Sequence, residues 1–147
     1  MKHAWIVLLL AMAACASGPS IEPPSTEMVP VDASVDQVWK SAIEVFAERT
    51  YLIANLEKVS GLIASDFMTV NSTDGHNWAD CGTDIVGDYF VATGGRFNFR
   101  VSEDTGTTRI KVTARWSSKA ERGCISKGTF EDELETAVRV RAQAASR

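Results

Sequence analysis

The stretches RFNFRVS (96–102) and TTRIKVTARW (107–116) alternate apolar and polar side chains, and Asp104-Thr105-Gly106 between them is a turn sequence. Successive side chains of a strand point to opposite faces. Phe97, Phe99 and Val101 therefore share one face of a hairpin with Ile110, Val112, Ala114 and Trp116. An antiparallel sheet of this kind leaves one face wet and needs a cover on the other. Two amphipathic segments supply it. In SVDQVWKSAIEVFAERTY, Ser34 and Gln37 match a capping box, and Val35, Val38, Trp39, Ala42, Ile43 and Phe46 recur at helical spacing. Lys40, Glu44 and Glu48 fall on the opposite side, and the helix is predicted to end near Arg49. In TFEDELETAVRVRAQAAS, Phe130, Leu134, Ala137 and Val138 form the apolar stripe, with acids at Glu131 to Glu133 and bases at Arg139 and Arg141 complementing the helix dipole.

Another hairpin is read from Tyr51–Glu57 and Leu62–Val70 about the turn at Ser60-Gly61, and a short strand from Met28 to Val31, with Pro30 confining it to an edge. The order is strand, helix, two hairpins, helix. These faces bury themselves only against each other. The predicted class is α+β: a two-layer sandwich of an antiparallel sheet of about five strands with two helices packed on one face.

The start of the chain, MKHAWIVLLLAMAAC, carries a basic Lys2, an apolar run of eleven residues from Ala4 to Ala14, and small side chains before Cys15. This predicts a secretory signal peptide over 1–14. The run is well short of the roughly 20 residues that span a bilayer as a helix. Met12-Ala13-Ala14-Cys15 resembles the lipobox of bacterial lipoproteins, with Met12 where Leu is usual. The resemblance implies cleavage before Cys15 and acylation of its thiol. Several acyl chains, at about 0.8 kcal/mol per buried methylene, make a stable anchor. By resemblance to lipoprotein sorting, Ala16 after the cysteine implies the outer membrane. Residues 15–25 then form a lipidated N-terminus and a Pro/Ser-rich tether, since all four prolines of the chain lie between Pro19 and Pro30.

Residues 26–147 are enough for one single-core domain and too few for two. The formal net charge is −4, and loss of the leader with Lys2 makes the remainder more acidic. With no basic cluster in the sequence, this excludes nucleic acid and anionic lipid headgroups as expected partners. The expected partners are the membrane, through the N-terminal lipid, and an envelope protein.

The segment VPVDASVDQVWKSAIEVFAERTYLIANLEKVSGLIASDF resembles the opening of the helix-grip domains in the BamC (NlpB/DapX) family of outer-membrane lipoproteins, and is similar to small bacterial envelope lipoproteins. The likeness runs from about Met28 to Val140 and carries no catalytic signature. BamC-type proteins have two such domains and a long N-terminal segment that contacts their partner, whereas one domain and a short tether are read here. The resemblance therefore implies fold and compartment and does not extend to that partner.

The chain has three cysteines. With Cys15 acylated, Cys81 and Cys124 remain as a pair in an oxidising compartment. The similar small lipoproteins also pair an ADCG-like stretch, here Ala79-Asp80-Cys81-Gly82, with a later cysteine followed by Ser and Gly, here Cys124 to Gly128. A Cys81–Cys124 disulfide is expected, tying a long loop to the approach of the last helix, with Trp78 packed over it.

His76-Asn77-Trp78-Ala79-Asp80-Cys81-Gly82 nevertheless has the residue types of an active site. As a nucleophile Cys81 is poorly served, because the neighbouring Asp80 raises a thiol pKa. As a metal site, His76, Asp80, Asp84 and Asp88, with Asp74, offer nitrogen and oxygen ligands, although their spacing matches neither a calcium-binding EF loop nor a recurrent zinc set. Asn71-Ser72-Thr73 fits a glycosylation sequon by letter, and Thr93-Gly94-Gly95-Arg96 reads as a turn rather than a phosphate loop. Arg96, Arg100, Arg109 and Arg115 occupy the polar strand positions and are expected to line one exposed sheet face.

No cofactor is expected, and no nucleophile, base and orienting partner assemble into an enzyme. The function expected is that of a noncatalytic, periplasm-facing lipoprotein, anchored in the outer membrane of a bacterial envelope and acting in protein contacts or envelope maintenance. The alternative is a small apolar-ligand-binding module, with Trp39, Phe46, Phe97, Phe99 and Trp116 lining a cavity between helix and sheet.

Overall fold

The structure is a computed structural model that describes residues 27–84, 86–119 and 123–145. The predicted leader and tether, Cys15 included, lie outside the described residues. In chain order the elements are β1 (Val29–Val31), α1 (Val35–Glu48), β2 (Ile53–Glu57), β3 (Leu62–Ser65), β4 (Met68–Thr69), α2 (Ser72–Trp78), β5 (Ala79–Asp80), β6 (Ala92–Asp104), β7 (Thr107–Ser118), β8 (Gly123–Ser126) and α3 (Thr129–Ala145).

The spine is the β6–β7 hairpin, in register from Gly94↔Ser117 to Asp104↔Thr107. Its two-residue loop has Thr105 at φ 50° and Gly106 at φ 79°, the left-handed pair that matches the twist of the flanking strands. Along the outer edge of β6 lie β3, opposite Asn98–Arg100, and β4, opposite Gly94–Gly95. Along the outer edge of β7 lie β1, opposite Thr108–Ile110, and β8, opposite Trp116–Ser117. Every pairing is antiparallel, with β2 closing one side beyond β3 and β5 the other beyond β8.

Helix α1 starts where the capping box places it: Ser34 Oγ accepts the Gln37 N–H (3.3 Å) and Gln37 Oε1 accepts the Ser34 N–H (3.0 Å). It buries Val38, Trp39, Ala42, Val45 and Phe46, while Ile43, expected on the stripe, is 39% exposed. Phe46 meets Phe97 and Phe99 edge-on at 5.3 and 5.7 Å between centroids, and Phe130 at the start of α3 lies 5.5 Å from Phe97. Such aromatic pairs add to the area they bury. Across the helix surface, Arg141 of α3 donates to Glu44 (3.3 Å) and to Glu48 of α1 (2.6 Å), a solvent-screened link.

Among the described residues the sheet has eight strands and the chain three helices, which corrects the predicted sheet of about five strands with two helices on one face. The physical reason is length. Strands β4, β5 and β8 run for two to four residues, too few to display alternation, and the seven-residue α2 contains a glycine. The run read as one strand, Leu62–Val70, breaks after Ser65, where Asp66 turns its carboxylate onto the Phe67 N–H (2.7 Å).

Two interruptions follow along the spine, and side-chain oxygens close both. Between β3 and β4, the Phe97 N–H donates to Ser65 Oγ (2.8 Å). Between β1 and β8, the Val112 N–H donates to Glu135 Oε1 (2.7 Å) and the Ala114 N–H to Glu131 Oε1 (3.3 Å). Glu131 and Glu135 are one helical turn apart on α3, only 1% and 4% exposed. Read from sequence, Glu131 complements the helix dipole; in the fold both carboxylates stand in for a missing stretch of strand. Ser126 Oγ of β8 donates to Glu131 Oε2 (2.9 Å), and Lys111 Nζ lies 3.4 Å from Glu135 Oε1.

Burial pushes the Glu135 carboxyl above the ordinary glutamate value of 4.5, against the Val112 N–H and the Lys111 ammonium, which pull it down. The folded chain therefore binds this proton more tightly than the unfolded one. The contribution of Glu135 to stability is complete below 4.5 and is lost as pH rises through its folded value. Glu135→Gln keeps an acceptor oxygen for Val112 and does not titrate. In urea unfolding as a function of pH, the stability of the native chain relative to this variant falls across that window; a pH-independent difference contradicts the assignment. Glu131→Ala, which orphans the Ala114 N–H and takes one acceptor from the Ser126 hydroxyl, costs about 1–3 kcal/mol.

Candidate functional site

Helix α2 carries the first half of the HNWADCG stretch. Asn71 caps it, its Oδ1 accepting the Asp74 N–H (2.9 Å) while its Nδ2 donates to Asp74 Oδ2 (2.7 Å). Gly75 is required by contact: a Cβ there would stand 1.9 Å from the Ala92 carbonyl oxygen, so the absence of a side chain lets α2 lie directly on β6. That approach brings Trp78 onto Phe130 (5.0 Å) and Trp116 (5.4 Å), between α2, α3 and β7. Trp78 thus joins the aromatic core.

After Trp78 the chain enters β5, whose pairing Ala79↔Ser126 and Asp80↔Ile125 sets Cys81 beside Cys124 of β8. The two sulfurs are 2.05 Å apart and the Cα atoms 4.2 Å apart. The bridge joins the residue just after β5 to Cys124 within β8. Lys127 strengthens the clip, its Nζ donating to the His76 carbonyl (2.6 Å) and its N–H to that of Trp78 (2.9 Å). Through Ser126 and Glu131 the clip is continuous with the side chains that close the β7 edge.

The proposed metal ligands do not converge. Asp80 Oδ1 accepts the Gly82 N–H (2.7 Å), and Asp84 Oδ1 accepts the Val86 and Asp88 N–H groups (2.9 Å each). Their carboxylates hold turns. His76 is exposed and its ring meets Tyr89 edge-on at 6.5 Å. Among the described residues no three His, Cys, Asp or Glu side chains group as a metal site. Cys81, held in the disulfide, offers no thiolate.

The five rings expected to line a cavity are core. Trp39 is 8% exposed, Trp116 3%, Phe46 and Phe97 1% each and Phe99 0%. The ring of Phe46 meets those of Phe97 and Phe99, and Trp116 meets Phe130 edge-on at 5.1 Å. They fill the space between helices and sheet.

The opposite face of the spine is uncovered. Arg96, Asn98 and Arg100 of β6 and Thr113 and Arg115 of β7 are exposed there, at the positions the alternation predicts. Arg109 and Lys111 follow on β7 and are half-buried. Arg109 lies 3.8 Å from Asp104, Lys111 reaches Glu135, and Arg96 stands 3.9 Å from Asp66. Among the described residues no ion pair reaches Arg100 or Arg115. A groove of about 1060 Å³ crosses this face, with Ala64, Phe67 and Arg96 on one side and Thr113, Arg115 and Ser117 on the other. No protein-family model matches the chain, and no curated protein does.

Sequence reading did not find Glu131, Glu135 or Ser65. The first two had a signal: at four-residue spacing they flank the apolar stripe through Phe130, Leu134 and Val138. Ser65 had none. Cys124→Ser removes a loop closure of 43 residues and lowers the unfolding free energy by up to about 4 kcal/mol by chain entropy. Urea denaturation of the native chain with and without reductant reads the same loss; coincident curves contradict it.

Proposed function

We propose that this chain is a noncatalytic lipoprotein of a bacterial envelope, anchored through Cys15 and presenting its domain for protein contacts. The observation that carries the protein-contact reading is the open sheet face: exposed arginines stand in register on a chain of net charge −4, two of them without a carboxylate partner among the described residues. Exposed polar side chains of this kind, set on a rigid hairpin, suit recognition better than chemistry. The noncatalytic part rests on what HNWADCG does in the fold, where its cysteine is occupied in a disulfide and its carboxylate in a turn.

The anchoring part rests on the apolar leader and on Met12-Ala13-Ala14-Cys15 before the Pro-rich stretch. An outer-membrane location is proposed from Ala16. Two acyl signals suffice for stable attachment, where a single chain gives only reversible binding.

In a bacterial host fed radiolabelled palmitate, the native chain becomes labelled and sediments with membranes. The Cys15→Ala variant is unlabelled and keeps its leader, so it runs heavier by the mass of residues 1–14 less the acyl chains. Absence of label from the native chain, or equal labelling of the variant, overturns lipid anchoring.

A further inference from the structure

We infer that the groove on the open sheet face receives an extended acidic polypeptide segment, its carboxylates held by Arg96, Arg115 and Arg100. This rests on the protein-contact reading above and adds the chemistry of the partner.

In the β6–β7 register Arg96 stands directly opposite Arg115. Side chains so paired leave the sheet about 4.5–5.5 Å apart, and like charges in that position cost stability. The chain has carboxylates in excess, 19 Asp and Glu against 15 Lys and Arg. Yet among the described residues the one carboxylate that pairs with either arginine is Asp66, 3.9 Å from Arg96 and itself 57% exposed. Repulsion within this pair, offset among the described residues by the exposed Asp66 alone, is relieved by a bound anion, since a guanidinium fork takes a carboxylate through two parallel hydrogen bonds.

The next pair on this face, Asn98↔Thr113, is neutral, and after it comes Arg100↔Lys111. Lys111 is turned to Glu135, which leaves Arg100 as the second cationic position. Arg96 and Arg100 are four residues apart on a strand, about 13 Å at 3.3 Å per residue. An extended peptide carries side chains on one side at every second residue, so acids four residues apart match the two positions. Phe67, 47% exposed at the groove, offers an apolar contact beside them. A peptide is favoured over an anionic membrane surface because Asp66 and Asp104 share this face, where a continuous sheet of headgroup charge would meet them as well as the arginines.

The experiment uses the full chain in neutral detergent and a fluorescent ten-residue peptide with Glu at alternate positions, its twin carrying Gln instead, read by anisotropy. The Glu peptide binds, and the Gln peptide binds at least about tenfold more weakly. Binding weakens as salt is added. Arg96→Gln with Arg115→Gln lowers affinity about tenfold or more, while Arg96→Lys with Arg115→Lys retains most of it. Arg115→Thr raises the thermal midpoint and weakens binding together, a combination that a purely structural arginine does not give.

Equal binding of the two peptides, no binding of either, or an unchanged affinity for the double Gln variant overturns the inference. So does arginine-dependent co-sedimentation of the Cys15→Ala chain with phosphatidylglycerol vesicles in place of peptide binding. A photocrosslinker at Asn98 in intact envelopes separates the two levels. Capture of a protein through Asn98 with no affinity for the Glu peptide overturns the acidic partner alone; no captured protein from Asn98 or from Lys40 on α1 overturns the protein-contact reading.

Discussion

A long hairpin whose outer edges are only partly paired must satisfy the remaining backbone groups or lose stability for each one buried. In this domain three oxygens meet that demand: Ser65 Oγ at Phe97, and the carboxylates of Glu131 and Glu135 at Ala114 and Val112. The two glutamates hold α3 against β7. Ser126 carries the same network into β8, and the Cys81–Cys124 bridge carries it on to β5 and the end of α2. Helix, sheet and disulfide are thus one connected assembly, whose most buried polar members are Glu131 and Glu135.

That arrangement also determines what is left for function. The face with Phe97, Phe99 and Val112 is filled by α1, α2 and α3, and their aromatic rings interlock without leaving the five expected residues free to line a cavity. The opposite face of the same hairpin has no covering element among the described residues. Rigidity and exposure meet there. A β6–β7 ladder buried from one side presents Arg96, Arg100 and Arg115 at fixed spacing on the other, which suits a surface that recognises a charged partner.

Long, periodic elements were legible in the sequence, as was the three-residue β1, while the other short ones were not. The capping box at Ser34 and the alternation in RFNFRVS and TTRIKVTARW needed no tertiary information, because local hydrogen bonds and side-chain period specify them. Strands such as Met68–Thr69 and Ala79–Asp80 exist only through their partners, and a two-residue segment carries no period. Glu131 and Glu135 were hidden for a related reason: a glutamate near a helix start satisfies a dipole rule, and only the gap between β1 and β8 makes it a backbone acceptor. The open arginine face was legible as a face. The absence, among the described residues, of an ion-pair partner at Arg115 was not, since it depends on which carboxylates the fold brings near.

Amide hydrogen exchange at Val112 and Ala114 tests this account most directly. With the two carboxylates completing the β7 edge, both amides exchange only through global unfolding, as slowly as their β6 neighbour Phe99 in the middle of the ladder. Exchange at these two positions by local fluctuation, orders of magnitude faster than at Phe99 under the same conditions, would contradict it.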